Sequence, residues 1–250
     1  LGDPHRDLAH SAQAMYEEAF FNILETAYAR HNIDTLTLAG GCGMNSVANG
    51  KVYRRSPFRK MYIQAAAGDA GGAIGAAFYV WNREKFAALK QSAPHPDPLP
   101  QGEGVKEGDC EGKFVMDHAY WGPEFSEVDI RKVLDAQADD LSREHCDVEL
   151  IQDEDSLCRK TAEAVAQGKV IGWFQGRMEW GPRALGNRSI VCDPRRADMK
   201  DILNLKIKRR ESFRPFAPSI LREQVREWFE EEDDVPFMMQ VFQIREGKRG

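Results

Sequence analysis

The spacing of apolar residues predicts a long helix near the start of the chain. Between residues 7 and 31, apolar side chains such as Met15, Phe20 and Leu24 recur at the intervals that place them on one face of a helix. Polar residues fill most of the remaining positions. We therefore expect an amphipathic helix that buries one face.

Two units, each a strand followed by a helix, are predicted after this first helix. Residues 35–38 alternate threonine and leucine, which favours a strand, and glycines follow directly. Residues 61–67 predict a second strand, and the small residues after Asp69 predict a helix that packs closely on a sheet. An acid at the carboxyl end of a strand is a common metal or nucleotide contact, although helix capping would explain Asp69 equally well.

The second half of the chain also alternates helical and β-rich patterns. One helix is predicted at residues 126–137, where Ser126 and Asp129 have the spacing of a capping box. A second is predicted at residues 155–166, with a glycine after it to end the helix. Because strands follow these helices, we expect a second α/β domain.

The β-rich runs at residues 170–174 and 189–192 predict strands of that domain. A helix-like stretch follows at residues 198–207. Beyond residue 221 the pattern predicts a helix with an acidic end, and residues 237–244 read as a core strand.

Residues 91–112 have the composition of a connector between two domains. They hold four prolines, four glycines and few apolar side chains, so they lack the material for a core. A partner-binding segment is the alternative interpretation. We therefore place one domain at residues 1–90, a flexible connector at 91–112 and another domain at 113–250.

Composition limits the classes of protein to consider. Hydrophobic residues make up 42% and charged residues 30%, and no apolar run approaches the roughly 20 residues that cross a bilayer, so we expect no membrane span. The five cysteines are never closer than 12 positions, which favours reduced cytoplasmic thiols over a disulfide framework or a zinc site. The first residues lack both an initiator Met and a secretory signal, and we expect a fragment of a longer cytoplasmic protein.

Residues 169–219 depart from the acidic balance of the chain. They carry a net charge of +7, whereas the whole chain carries −6. A solvated charged face is the simplest explanation, but here Phe213 and Phe216 interleave with the cations. Arginine at loop mouths suits phosphate or carboxylate groups, which its planar fork binds through two oxygens. The candidate residues at such positions are Arg183, Asn187, Arg188, Lys208, Arg210 and Arg214.

Two motifs in this stretch resemble a known family. FQGRMEWGPRALGNRSI, followed by NLKIKRRESFRPFAPSIL, is similar to the C-terminal domain of the carbamoyltransferases, which include nodulation and antibiotic O-carbamoyltransferases. The earlier GGCGMNSVANGK resembles the family's GGVALNSxxNGK nucleotide-binding loop, with Cys42, Gly43 and Met44 as departures. AAAGDAGGAIGAA resembles the family's GDxGxxxGAA motif, in which the acid is a metal ligand.

The resemblance implies a fold and an activity. The implied fold is α/β: the second half of an actin-like ATPase domain, followed by a YrdC-like α/β domain that is incomplete here. The implied activity is O-carbamoyl transfer, in which the YrdC-like domain converts carbamoyl phosphate and ATP to carbamoyl adenylate. The actin-like domain then transfers the carbamoyl group to the hydroxyl of a small-molecule acceptor.

The resemblance also implies roles for individual residues. Gly40, Gly41 and Asn45 would contact the nucleotide in the transfer domain, and Asp69 would hold a divalent metal, iron or magnesium. The family's HxxxH metal pair does not occur in this sequence, so we expect the fragment alone to be inactive in transfer. The adenylate site would comprise Arg183, Asn187, Arg188, Ser189, Lys208, Arg210 and Arg214, whose cations would neutralise the phosphates.

The sequence is also compatible with two other functions. A non-catalytic RNA-binding YrdC-like module would need a basic patch with exposed aromatic rings for stacking, whereas Phe213 and Phe216 read as packing residues. Because the chain is acidic overall, we expect a nucleic-acid partner less than a small-molecule one. An actin-fold sugar or acid kinase would share the first domain but would not need the arginine-rich second domain.

Overall fold

The computed structural model describes residues 2–91 and 115–249. These residues form two compact units. The first comprises 2–91, 115–119, 181–183 and 226–249, and the second comprises 120–180 and 184–225. The predicted connector at 91–112 lies outside the described residues except for its first position, and the predicted domain boundaries stay predictions.

The first unit opens with the predicted long helix, α1 (Asp3–His31). Asn32 ends it in the left-handed region with a φ of 50°, and its N–H donates to Tyr28 O at 2.7 Å. Such a left-handed cap satisfies one of the carbonyls that a helix end leaves free. The helix is confirmed, but its buried face differs from the predicted one: Phe21 and Leu24 are buried, whereas Met15 is 71% exposed.

A parallel strand pair follows α1. Strand β1 (Thr35–Leu38) pairs with β2 (Lys60–Ile63), with Thr35 opposite Lys60 and Leu38 opposite Ile63. Parallel strands require a crossover, and here a 3₁₀ turn (Gly41–Met44) and the short helices α2 (Ser46–Asn49) and α3 (Val52–Arg55) supply it.

The second predicted strand, residues 61–67, is shorter than predicted. It ends at Ile63 because the side chain of Gln64 accepts the N–H of Ala66 at 2.6 Å, and Ala67 N–H turns back to Gln64 O at 3.1 Å. These local bonds replace the ladder bonds of a strand. The helix after Asp69 is confirmed as α4 (Gly71–Gln91).

The core of the first unit lies between α1 and the crossover. Phe21 and Leu24 of α1 meet Val52 and Phe58, and all four are less than 5% exposed. Burying a side chain of this size contributes about 1.5–3 kcal/mol. Partly buried apolar side chains pack around this cluster: Phe20, Tyr28, Leu36 and Met61.

The end of the chain departs from its prediction. The predicted helix with an acidic end is reduced to a 3₁₀ turn (Arg222–Gln224) and the short α9 (Val225–Trp228). The predicted strand at 237–244 is irregular, because Asn49 Nδ2 donates to Met239 O at 3.0 Å and Val241 N–H donates to Ser46 O at 3.0 Å. The crossover thus takes the place of a neighbouring strand.

The second unit begins with helices that follow the sequence pattern. Helix α5 (Glu127–Ala136) has the predicted capping box: Asp129 N–H donates to Ser126 Oγ at 3.2 Å, and Ser126 N–H donates to Asp129 Oδ2 at 3.1 Å. Next come α6 (Ala138–Arg143), which was not predicted, and the predicted α7 (Glu154–Ala166).

An antiparallel strand pair follows α7. Strand β3 (Ile171–Phe174) pairs with β4 (Arg188–Val191), with Ile171 opposite Val191 and Phe174 opposite Arg188. The helix-like stretch after β4 forms a single turn, α8 (Met199–Asp201), which continues as a π-helix (Ile202–Ile207).

The architecture is therefore mixed helix and sheet with small sheets, consistent with the predicted α/β class. Its finer assignment to actin-like and YrdC-like folds stays a prediction. In the described parts of the chain, no helix is both long enough and apolar enough to span a bilayer.

Candidate anion-binding site

A buried carboxylate organises the loop between β3 and β4. Glu179 is 4% exposed, and its Oε1 accepts the backbone N–H groups of Leu185 at 2.7 Å, Asn187 at 2.8 Å and Arg188 at 3.2 Å. Burial by itself would raise the pKa of Glu179, but these donors outweigh it and lower the pKa. The side chain is therefore an ionised internal anchor.

Asn187 and Arg188 hold the two sides of this loop together. Asn187 is buried, donates from Nδ2 to Arg177 O at 2.7 Å and accepts Gln175 Nε2 at 3.0 Å. The guanidinium of Arg188 donates to Gln175 O at 2.7 Å and Gly176 O at 3.1 Å. Both predicted site residues therefore fix the loop backbone in this structure.

The guanidinium of Arg188 also stacks on an aromatic ring. Its Cζ atom lies 3.5 Å from the centre of the Phe174 ring, a cation–π contact. Phe174 is 55% exposed, so the stacked pair lies at the surface. The position of Arg188 is consequently fixed by both the strand and the loop.

Ser189 and Arg183 occupy different settings. Ser189 Oγ accepts the N–H of Gly186 at 3.0 Å, which closes the turn before β4. Arg183 groups with the first unit, and its Nε is buried without a hydrogen-bond partner among the residues that the structure describes. A buried unpaired donor of this kind costs stability, which is a reason to expect a ligand or partner group for Arg183.

Asn204 organises a second cationic segment, residues 208–216. It lies in the π-helix, is fully buried, and donates from Nδ2 to Ser212 O at 3.2 Å and Arg214 O at 2.9 Å. Its Oδ1 accepts Arg210 Nε at 2.7 Å. One amide thus fixes both the backbone of the segment and one of its guanidinium groups.

The cations of this segment are presented at the surface. Lys208 and Arg214 are exposed, and Arg210 is half-buried with its Cζ 4.8 Å from the centre of the Phe216 ring. Arg214 forms an ion pair with Glu211 at 2.8 Å. Each arginine keeps N–H groups beyond these contacts, since a guanidinium has five. The segment can therefore donate to an anion without losing its internal bonds.

The predicted nucleotide loop of the first unit has an open face. Gly40 has a φ of 98°, a conformation that favours glycine, and donates its N–H to Ala67 O at 2.7 Å. A Cβ atom added at Gly40 or Gly41 would meet no described atom within 4 Å. A ligand could therefore approach the backbone there closely.

Asn45 is used internally in the same loop. Its Oδ1 caps α2 by accepting Ala48 N–H at 3.1 Å, and its Nδ2 donates to Gln13 Oε1 at 2.9 Å. The side-chain amide therefore ties the loop to α1. We infer that Asn45 shapes the loop, and direct contact with a nucleotide stays a prediction.

Asp69 is exposed at the turn before α4. No three His, Cys, Asp or Glu side chains come together as a metal site within residues 2–91 and 115–249. One carboxylate does not hold a divalent ion by itself, because such sites take several oxygen or nitrogen ligands. The described residues thus do not form a complete metal site, and a role for Asp69 in one stays a prediction.

Sequence reasoning missed Glu179 and Asn204. Both lie inside the two cationic motifs, in which the arginines are the predicted phosphate ligands. Two features could have indicated them. Asn204 is a poor helix former within an apolar run, and Glu179 is the acid that lies between Arg177 and Arg183 in a turn-rich stretch. Polar residues in such settings often bond to backbone groups.

Comparisons with known proteins cover both units. The sequence model described as carbamoyltransferase N-terminus matches residues 2–78, and the one described as carbamoyltransferase C-terminus matches residues 162–250. The first match contains the glycine loop and Asp69, and the second contains both cationic segments.

Several curated proteins are similar to nearly the whole chain. An uncharacterized protein of Synechocystis sp. is 42% identical over 97% of this chain and 35% of its own length. Nodulation protein NolNO of Sinorhizobium fredii is 40% identical over 98% of this chain and 32% of its own length. A 3'-hydroxymethylcephem-O-carbamoyltransferase of Amycolatopsis lactamdurans is 31% identical over 84% of this chain and 33% of its own length. The chain spans about a third of the length of these relatives.

Proposed function

Because this chain belongs to the carbamoyltransferase family, we propose that it is part of an O-carbamoyltransferase that uses carbamoyl phosphate and ATP. Carbamoyl phosphate and water would yield carbamate and phosphate. A carbamate oxygen then bonds to the α-phosphorus of ATP as pyrophosphate leaves, which gives carbamoyl adenylate. An acceptor hydroxyl takes the carbamoyl group, and AMP leaves.

The observation that carries this proposal is the cationic segment fixed by Asn204. Adenylate formation brings several phosphate charges into one site, and positioned cations stabilise them best when they need not reorganise. Arg210 is positioned by Asn204 and Phe216 before any ligand arrives. Arg214 is anchored through its backbone carbonyl, and its guanidinium, which pairs with Glu211 through Nε, keeps its other N–H groups for a ligand.

Within this proposal the loop between β3 and β4 has a supporting role. Glu179 fixes the backbone of residues 185–188, and Arg188 uses its donors on carbonyls of the same loop. We assign Arg188, Asn187 and Ser189 to shaping that loop, and Lys208, Arg210 and Arg214 to direct phosphate contact.

The names of the relatives indicate a general class of carbamoyl acceptor. One relative is named for transfer to a hydroxymethyl group of a cephem, and another is named as a nodulation protein. These names suggest a hydroxyl on a small molecule as the acceptor. A divalent metal near Asp69 would require ligands besides the described residues, so no step is assigned to one.

Calorimetry of the chain with ATP and with carbamoyl phosphate tests the proposal. Arg210→Ala and Arg214→Ala should each weaken binding by about tenfold or more, because each removes charge-assisted contacts. Arg226→Ala removes the same charge from a side chain that is 79% exposed and should change binding little. If all three variants bind like the parent with unchanged circular dichroism, the cationic segment does not bind phosphate.

Transfer itself is the second test of this proposal. We expect the chain alone to give no carbamoylated acceptor, since the family's HxxxH metal pair does not occur in its sequence. The measurement is product formation with ATP, carbamoyl phosphate, a divalent metal and a hydroxyl acceptor. Robust turnover would contradict the expectation.

A second candidate function rests on one corrected prediction. Phe213 and Phe216 were expected to pack, but they are 56% and 38% exposed beside Arg210 and Arg214. Exposed rings next to cations suit stacking with RNA bases. Titration with single-stranded RNA at two salt concentrations tests this. The RNA-binding function would be favoured if the parent chain binds RNA but not ATP, and if Phe213→Ala abolishes the RNA binding.

A further inference from the structure

A cationic pocket also lies in the first unit. It is a pocket of about 470 Å³, open to solvent. All of its lining residues belong to the first unit: Lys51, Arg54, Arg55, Glu230, Gln243 and Arg249. Four cations and one acid line one concavity in a chain whose net charge is −6.

A buried acid holds two of these cations in place. Glu17 is 6% exposed; its Oε1 accepts Lys51 Nζ at 2.5 Å, and its Oε2 accepts Arg55 at 3.0 Å. Burial by itself would raise the pKa of Glu17, but hydrogen bonds from Gln13 and Lys51 and the two positive charges lower it. The guanidinium of Arg55 also lies 4.1 Å above the ring of Phe21, a core residue.

The third cation, Arg54, forms ion pairs with two acids. It pairs with Glu230, which lines the pocket, at 3.0 Å, and with the buried Glu231 at 2.9 Å. The fourth, Arg249, is exposed and uses its Nε on Ile244 O at 3.2 Å. Both arginines keep terminal N–H groups for another acceptor, since each has five donors.

This arrangement differs from an ordinary charged surface. Glu17 brings Lys51 and Arg55 together from the core side, so their remaining donors are held at one wall of the pocket. The four cations outnumber the three acids that pair with them, Glu17, Glu230 and Glu231, so positive charge is left for a ligand of opposite sign. Among these acids, only Glu230 lines the pocket.

We propose that this pocket binds the phosphoryl group of a small, multiply charged anion. Guanidinium and ammonium donors converging on one concavity match the oxygens of such a group. A pocket of this volume falls in the range of small-molecule sites. The proposal does not depend on the proposed transferase activity, since it uses none of the residues assigned to that activity.

The tests use the Arg210→Ala variant as parent, which weakens binding at the cationic segment of the second unit. Binding of inorganic phosphate, pyrophosphate and ATP is measured by calorimetry at low and moderate salt. We expect pyrophosphate or ATP to bind more tightly than phosphate, and all affinities to fall with salt because the pocket is open. Comparing the three probes distinguishes a free phosphate from a nucleotide as the ligand.

Two substitutions with opposite expected effects on affinity test whether this pocket binds the anion. Arg249→Ala removes a cation that has no ion pair in the described structure, and should weaken binding about three- to tenfold. Glu230→Gln removes the competing acid and frees a donor of Arg54, and should tighten binding about threefold or more. A change that merely damaged the fold would not tighten binding.

Matched controls exist on the same unit. Arg226→Ala and Glu232→Gln make the same changes of charge in an exposed ion pair outside the pocket. Both should leave the affinity within about twofold, because their charges are screened. The proposal is overturned if no probe binds, or if Arg249→Ala and Glu230→Gln behave like these controls.

Discussion

The two units of this chain are held together in different ways. In the first, α1 buries Phe21 and Leu24 against Val52 and Phe58. In the described part of the second, neither α5 nor α7 has a buried residue. Its fully enclosed side chains are few and include polar ones, notably Glu179 and Asn204.

This difference shows what each kind of burial can do. Apolar burial is non-directional and stabilises whatever packs best, so it suits a unit that must only hold its elements together. A buried amide or carboxylate stabilises only the conformation that satisfies its hydrogen bonds. Glu179 and Asn204 therefore give the cationic loops one defined shape without a large apolar core.

The largest effect should come from the apolar core. Leu24→Ala removes a side chain that is 3% exposed and should lower the free energy of unfolding of the first unit by about 2–5 kcal/mol. Leu157→Ala makes the same change on α7 at 38% exposure and should cost less than about 1 kcal/mol. Urea denaturation measures both, and equal losses would mean that the two units are held together alike.

An intermediate effect is expected at Asn204. Asn204→Ala leaves Arg210 Nε and the carbonyls of Ser212 and Arg214 without their partner, at a cost of about 1–3 kcal/mol. Limited proteolysis should then cut the segment 208–216 faster. Asn204→Asp keeps the acceptor for Arg210 but loses both donors, so it should lie between parent and alanine variant. Unchanged proteolysis in both variants would contradict the positioning role.

The smallest effect is a pH dependence at Glu179. Its pKa is lowered in the folded protein, so its stabilisation is present above the unfolded value of about 4.3 and is lost as pH falls through the folded pKa. Glu179→Gln should lower the thermal midpoint at pH 7 by a few degrees. The difference in thermal midpoint between variant and parent should shrink as the pH falls below the unfolded value of about 4.3. If the difference in thermal midpoint does not change with pH, the charge of Glu179 is not the cause of the stabilisation.

Much of the secondary structure was predictable because its causes are local. The long α1, strand β1 and the capping box of Ser126 and Asp129 follow from periodicity and capping chemistry within a few residues. The strand predicted at 237–244 was wrong because its partner groups lie on Ser46 and Asn49, almost 200 positions away. The apolar pattern correctly predicted that Phe237 and Met239 are buried, but it did not predict their backbone conformation.

The candidate site was predictable in residue types but less so in roles. The motifs indicated Arg188, Arg210 and Arg214 by chemistry and by resemblance. They did not indicate that the guanidinium of Arg188 donates to carbonyls of its own loop, or that Asn204 fixes Arg210. Such roles depend on which carbonyl lies within about 3 Å of a donor, and sequence spacing does not give that distance.

The sequence by itself determined the mixed helix and sheet elements, the family and the cationic character of residues 169–219, because these depend on composition, short-range spacing and long motifs. Only the tertiary structure decided which cations are bound internally and which are presented to solvent. It also brought Lys51 and Arg55 onto Glu17 beside Arg249, three parts of the chain that share no local pattern. The reason is physical: a charge acts over distances in space, and the fold sets those distances.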